Sequence, residues 1–97
     1  MAIFLITYEY TDDAGGREKY RPAHLDFISE LADRGALLIS GPLGPTESPG
    51  GRIVVDAATK SEALALTVGD PFRVNGLVSQ ATAVEWLPIY GRLAREI

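Results

Sequence analysis

The stretch AIFLITYEY, residues 2–10, decides how this chain folds. Side chains alternate between the two faces of a β-strand. Here both faces are apolar, with Ile3 and Leu5 on one and Phe4 and Ile6 on the other. Both faces of such a strand must be covered, so the stretch predicts a strand inside a sheet rather than one lying on the surface.

Hydrophobic periodicity and the positions of glycine and proline predict the elements that follow. They are a helix from residue 17 or 22 to 34, a strand over 36–40, a strand over 52–57, a helix from 60 or 61 to 68, a strand over 77–87 and a short terminal helix within 89–97. Pro22 is expected near the first turn of the first helix, and Gly35 is expected to end that helix.

The predicted order is β-α-β-β-α-β, which is the ferredoxin-like α+β arrangement. Two right-handed crossovers then place both helices on one face of a four-stranded antiparallel sheet. The other face stays open, and the apolar strands would expose more hydrophobic surface there than a monomer normally tolerates. A homodimer that packs two sheets face to face removes this surface, so we expect a homodimer.

Composition narrows the possible functions. A chain of 97 residues fits a single domain, expected over residues 1–97. The net charge is −4 and the nine basic residues are scattered, which argues against a nucleic-acid partner. No apolar run approaches membrane-spanning length, and the absence of cysteine gives a cytoplasmic setting as the default expectation. One histidine and no cysteine leave only carboxylates as further metal ligands, so no dedicated metal site is expected.

His24 is the only histidine in the chain. On the predicted helix it shares a face with Ile28 and Leu31, the face that packs on the sheet. Two interpretations follow. The ring is either a structural group bonded to a backbone carbonyl, or a proton-transfer group that needs a partner to fix its tautomer.

Asp70 is the candidate partner, but its position also has a simpler explanation. In the sequence Asp70-Pro71 the aspartate is well placed to cap a helix whose first residue is proline. In the predicted topology Asp70 lies past the end of the second helix and His24 near the start of the first. The spacing alone therefore favours the cap, and it predicts a separation of about one helix length unless the segment DPFRVNG, residues 70–76, folds back.

Three further residues are candidates for binding a substrate. Arg21 suits an anionic group, although solvation at the surface explains it equally well. Phe72, together with Tyr8, Tyr20 and Trp86, suits an aromatic compound, and ordinary core packing is the alternative. Ser40 lacks the G-x-S-x-G context of a nucleophile, which leaves it a contact to substrate.

Four segments together resemble the YCII-related proteins, and the resemblance covers nearly the whole chain. In order they are FLITYEYTDD, RPAHLDFISELADRGALLISGPL, GGRIVVDAATKSEALAL and GDPFRVNGLVSQATAVEWLPIYG. The resemblance implies a ferredoxin-like fold and a homodimer joined through its sheets. It also implies a His-Asp pair, which by position is His24 and Asp70, and chemistry that needs no cofactor.

The functional hypotheses follow from this resemblance. The first is a small-molecule enzyme, an isomerase or lyase, in which His24 and Asp70 transfer a proton on an aromatic or quinoid compound. The second is a module of the same fold that binds or senses a small ligand without turnover. The third is a structural dimer in which the pair only orders the core.

Overall fold

A computed structural model describes residues 1–97. The chain forms β1 (Ala2–Tyr10), α1 (Ala14–Asp33), β2 (Leu37–Pro42), β3 (Gly50–Ala57), α2 (Lys60–Ala65), α3 (Pro71–Val74) and β4 (Val78–Glu85), followed by a 3₁₀ turn at Ala94–Glu96. The strands make one antiparallel sheet in the order β2-β3-β1-β4. The predicted ferredoxin-like fold is confirmed, and β1, with its two apolar faces, is a central strand.

The prediction for the start of α1 was wrong. The helix begins at Ala14, because the Asp13 side chain accepts a hydrogen bond from the Gly16 backbone N–H at 2.8 Å and caps the first turn. Pro22 therefore lies inside the helix rather than near its first turn. The end is as predicted, since Gly35 has a φ of 78° and the chain leaves the helix there. At 20 residues α1 is the longest helix, and no helix is long and apolar enough to cross a membrane.

Other boundaries also differ from the prediction. α2 ends at Ala65 instead of residue 68, and a separate one-turn helix, α3, follows. β4 ends at Glu85 instead of residue 87. The terminal segment forms only the 3₁₀ turn. The break between α2 and α3 is the change that matters for function, because it lets the chain turn back toward α1.

The core lies between the helices and one face of the sheet. β1 contributes Phe4, Ile6 and Tyr8, and the other members of the cluster are Ile28, Ile53, Val55, Ala57, Ala63 and Ala83. Ile6 and Val55 are completely buried. The even-numbered positions of β1 thus face the helices, as the alternation of a strand requires.

The opposite face of the sheet is apolar and is not covered by a helix. Leu5 is paired with Val54 on one side and Val84 on the other, and Val54 is paired with Ile39. The side chains of Ile39 and Val84 are 54% and 53% exposed. This surface, made by Ile39, Leu5, Val54 and Val84, is called the open face below.

Gly50 allows β3 to approach the end of β1. A methyl group added at Gly50 would lie 2.6 Å from the carbonyl oxygen of Tyr8, which is closer than real Cβ atoms come. At Gly41, in the neighbouring strand β2, an added methyl group meets no atom within 4 Å. The absence of a side chain at Gly50 thus fixes where the backbone of Tyr8 lies.

We predict that Gly50→Ala lowers the free energy of unfolding by about 1–3 kcal/mol, because β1 and β3 must separate to admit the methyl group. Gly41→Ala is the matched control and should change it by less than about 0.5 kcal/mol. Urea unfolding followed by circular dichroism measures both. Equal stability of the two variants would contradict the close approach at Gly50.

Candidate active site

His24 lies at the middle of α1, one turn before the buried residue Ile28. Its side chain is 14% exposed, and its Nδ1 atom lies 2.8 Å from Oδ1 of Asp70. A carboxylate only accepts hydrogen bonds, so Nδ1 carries the proton and donates. The neutral ring is therefore the Nδ1–H tautomer, and Nε2 keeps a free lone pair.

Asp70 is completely buried and accepts three hydrogen bonds. Oδ1 accepts from His24 and from the backbone N–H of Phe72, the latter at 3.0 Å. Oδ2 accepts from the hydroxyl of Tyr8 at 2.8 Å. Asp70 thus caps α3, as its sequence context predicts, and pairs with His24 as well.

His24 and Asp70 are in contact rather than a helix length apart, for two reasons. Because α1 begins at Ala14, His24 lies near its middle rather than near its N-terminal end. Because α2 stops at Ala65, the next residues fold back, with the Asp70 N–H donating to the Thr67 carbonyl oxygen at 3.0 Å. The two deviations bring the side chains together.

Aromatic rings hold the imidazole in a fixed plane. The Phe72 ring stacks on His24 with a centroid distance of 4.0 Å and an interplanar angle of 4°. Tyr10 meets Phe72 edge-on, with a centroid distance of 5.7 Å. With one face against Phe72 and Nδ1 held by Asp70, the ring has little rotational freedom, so the direction of Nε2 is set by the fold.

A cavity of about 250 Å³ opens beside His24. Its apolar wall includes Ile28, Pro42, Ile53 and Phe72. Its polar groups include Arg17, Arg21 and Ser40. The volume suits a compound with one small ring, and the mixture of an apolar wall and a few polar groups is typical of small-molecule sites.

Two tyrosines near the pair remain protonated. Burial raises the pKa of Tyr8 well above its usual value, and the negative charge of Asp70 raises it further. Burial also raises the pKa of Tyr10, as does Asp70, whereas the charges of Arg17 and Arg21 lower it. Tyr8 is therefore a phenol donor to Asp70 and not a competing base.

The residues chosen from the sequence meet at this one place. His24, Arg21, Ser40 and Phe72 all line the cavity, while Asp70 contacts His24 without lining it. No group of three or more His, Cys, Asp or Glu side chains is arranged to hold a metal ion.

Sequence reasoning missed the roles of two residues. Tyr8 was considered only as a pocket or core aromatic, because strand alternation gives the face of its side chain but not the partner of its hydroxyl. Arg17 was considered only as a possible first residue of the helix. The signal for Arg17 was its spacing, since residues 17, 21 and 24 share one face of a helix that starts before residue 17.

Residues 1–87 match the family described as the YCII-related domain. This chain belongs to that family. No curated protein matches it. Among solved structures it is similar to 5-chloro-2-hydroxyhydroquinone dehydrochlorinase from Burkholderia phenoliruptrix AC1100 in complex with 2,5-dihydroxybenzoquinone, with 21% identity, a TM-score of 0.74, and 93% of this chain and 96% of that chain covered.

Two other solved structures share the fold at lower similarity. One is protein Atu4242 from Agrobacterium tumefaciens, with 12% identity, a TM-score of 0.54, and 92% of this chain and 94% of that chain covered. The other is an antibiotic biosynthesis monooxygenase, with 12% identity, a TM-score of 0.53, and 93% and 100% covered. These similarities support the YCII-related, ferredoxin-like fold.

The raised pKa of Tyr8 makes stability depend on alkaline pH. The folded state keeps Tyr8 protonated, so its contribution is fully present below the unfolded pKa of about 10 and is lost as pH rises above it. Between pH 9 and pH 11 wild type should lose about 1.4 kcal/mol of unfolding free energy through Tyr8. Urea unfolding at the two pH values should show a smaller loss in Tyr8→Phe. The same loss in both proteins would contradict the buried phenol.

Proposed function

We propose that this protein is a small-molecule enzyme in which His24 and Asp70 transfer a proton, in an isomerisation or an elimination on a cyclic aromatic or quinoid compound. One observation carries the proposal. The His24 ring has Nδ1 bonded to a buried carboxylate and Nε2 free beside a cavity of about 250 Å³. A histidine that only ordered the core would not need an adjacent cavity of this size.

The chemistry follows from this arrangement. Nε2 removes a proton from a ring hydroxyl, or from a tetrahedral ring carbon next to a carbonyl group in the keto tautomer, and the imidazolium that forms is stabilised by Asp70. In an isomerisation the same proton returns to another ring atom. In an elimination from a hydroxylated ring, tautomerisation first makes the carbon that bears the leaving group tetrahedral. Loss of a hydroxyl proton then forms a C=O bond, the ring electrons shift, and the leaving group departs with its own bonding pair. General acid-base catalysis of this kind contributes about 10²- to 10⁴-fold in rate.

The three predicted substrate contacts take distinct roles in this proposal. Phe72 offers an apolar ring edge beside His24, since its face is already covered by the imidazole. Ser40 lines the cavity from β2, and its hydroxyl is suited to a hydrogen bond with a ring oxygen. Arg21 supplies a positive charge on the same face of α1 as His24.

The similar dehydrochlorinase supports the elimination in particular. That protein is named for removing chlorine from a hydroxylated ring, and its structure holds a dihydroxylated benzoquinone. We propose a compound of the same class for this chain: a six-membered ring bearing oxygen substituents. The size and apolar wall of the cavity suit such a ring.

The test of the mechanism is His24→Gln, which keeps an N–H donor for Asp70 but removes the base. Turnover should fall by about 10²- to 10⁴-fold. The assay measures chloride release from 5-chloro-2-hydroxyhydroquinone, together with deuterium exchange into related hydroxylated rings. Asp33→Asn, an exposed carboxylate at the end of α1, is the control and should keep wild-type turnover.

Three results would count against the proposed mechanism, and two of them favour the other hypotheses. Saturable binding of these compounds without chloride release or exchange indicates the ligand-binding or sensing module. Undiminished turnover in His24→Gln removes the histidine from the mechanism. A large fall in melting temperature in His24→Gln, with no compound stabilising wild type, indicates the structural dimer.

We also propose that residues 1–97 act as one domain and that the protein is a homodimer joined through the open face. Ile39 and Val84 on this face are half exposed, although Val54 on the same face is buried. Packing two such faces together removes apolar surface from both copies at once. The two-fold contact also explains why β1 and β3 are apolar on the side away from the helices.

An exposed charge on the open face should separate the dimer. Val84→Asp is expected to give a monomer at micromolar concentration, because pairing would bury two unpaired carboxylates. Val68→Asp is the control, since Val68 is similarly exposed, at 59%, but lies outside the sheet. Size-exclusion chromatography with light scattering measures both. A monomeric wild type would contradict the homodimer.

A further inference from the structure

Two arginines of α1 lie above the cavity on the same side as His24. Residues 17, 21 and 24 are spaced by four and three, which places them within about 60° of one another around a helix. Arg17 and Arg21 both line the cavity. The face of α1 that carries the proposed base therefore also carries two guanidinium groups, one and two turns nearer the start of the helix.

Arginines are the only residues lining the cavity that carry a permanent charge, so that charge is positive. Three of the nine basic residues, Arg17, Arg21 and Arg52, line it, and none of the 13 acidic residues does. Asp70, the nearest carboxylate, is fully buried with its oxygens already bonded to Tyr8, His24 and Phe72. The chain's single ion pair is His24 with Asp70, so neither Arg17 nor Arg21 is neutralised by a carboxylate.

Arg17 is held in place by its surroundings. Its guanidinium donates to the carbonyl oxygen of Thr11 and lies 5.0 Å from the centre of the Tyr10 ring. A guanidinium has five N–H donors, so this contact leaves others available. The charges of Arg17 and Arg21 both act on Tyr10, whose pKa they lower. The two cations thus converge on one region of the cavity, beside Tyr10.

We propose that Arg17 and Arg21 form an anion-binding subsite for the ionised oxygen substituent of a small ring compound, a carboxylate or an ionised ring hydroxyl. The proposal rests on the function proposed above and names its substrate class: planar ring anions. Planar guanidinium groups match such oxygens with paired, charge-assisted hydrogen bonds. Holding the anion at Arg17 and Arg21 turns the ring toward Nε2 of His24, one turn further along α1.

The subsite also explains how a negatively charged protein accepts an anion. The net charge of −4 repels anions at long range, but screening limits that repulsion to about 10 Å at ordinary ionic strength. Within that distance the uncompensated arginines of the cavity dominate. The subsite therefore selects anions over neutral rings of the same shape.

Binding of matched probe pairs tests the subsite. The pairs are 2,5-dihydroxybenzoquinone with its neutral dimethoxy analogue, and benzoate with neutral benzamide, each measured by isothermal titration calorimetry. Wild type should bind the anion of at least one pair tenfold or more tightly than the neutral partner. The pair that shows the preference identifies the group as an ionised hydroxyl or a carboxylate.

Variants assign the preference to the two arginines. The double variant Arg17→Gln, Arg21→Gln should bind the preferred anion at least tenfold more weakly and the neutral analogue within threefold of wild type. Arg34→Gln is the matched control, because it removes the same charge from the far end of the same helix, and its affinities should be unchanged. Because Arg17 also donates a hydrogen bond to the Thr11 carbonyl oxygen, Arg21→Gln alone is measured as well. This single variant should bind the preferred anion at least threefold more weakly than wild type.

Four results would overturn the subsite. The first three are equal affinity of wild type for both members of each pair, a preference retained in the double variant, and an equal loss in Arg34→Gln. Absence of binding for all four probes also overturns it for both anion types. None of these affects the His24→Gln assay, which judges the proton-transfer function by turnover. Conversely, anion selectivity in a protein without turnover would support the subsite and contradict the enzyme.

Discussion

The buried carboxylate of Asp70 is the group on which the rest of the site depends. An ionised carboxylate removed from water costs several kcal/mol unless donors replace its hydration. Here the donors come from three different elements: Tyr8 from β1, His24 from α1 and Phe72 from α3. The hydrogen bonds to this one carboxylate therefore connect the sheet, α1 and α3. Because His24 is one of the three donors, the same bonds also fix the position of its ring.

That constraint gives the histidine its chemical character. A free imidazole exchanges its proton between two nitrogens, but a carboxylate at Nδ1 selects one tautomer and fixes the orientation of the ring. The stacked Phe72 fixes the plane, so the remaining nitrogen points in one direction. Tyr8 shares the carboxylate from the opposite oxygen and stays protonated because it is buried. Orientation and activation thus come from groups whose first role is to satisfy a buried charge.

More of the fold than of the site was predictable from the sequence. The apolar alternation of β1 and the order of elements gave the sheet and its open face, because these depend on local periodicity. The inward direction of His24 and the capping position of Asp70 were each predictable from helix phase and from the following proline. Their contact was not, since it depends on where α1 begins and on how residues 66–70 turn back. Neither the start of α1 nor this turn leaves a periodic pattern in the sequence. The pairing of His24 with Asp70 was therefore predicted only from the family resemblance.

The arrangement also separates two opposite electrostatic requirements. A base that becomes an imidazolium is helped by a nearby negative charge, whereas an anionic substrate is repelled by one. The chain meets both because Asp70 is buried outside the lining of the cavity, with both oxygens hydrogen-bonded, while the charged groups that do line it are arginines. The imidazole is bonded to the carboxylate through Nδ1 and also lines the cavity. Burying Asp70 behind the ring is what allows the same small site to activate its base and still attract an anion.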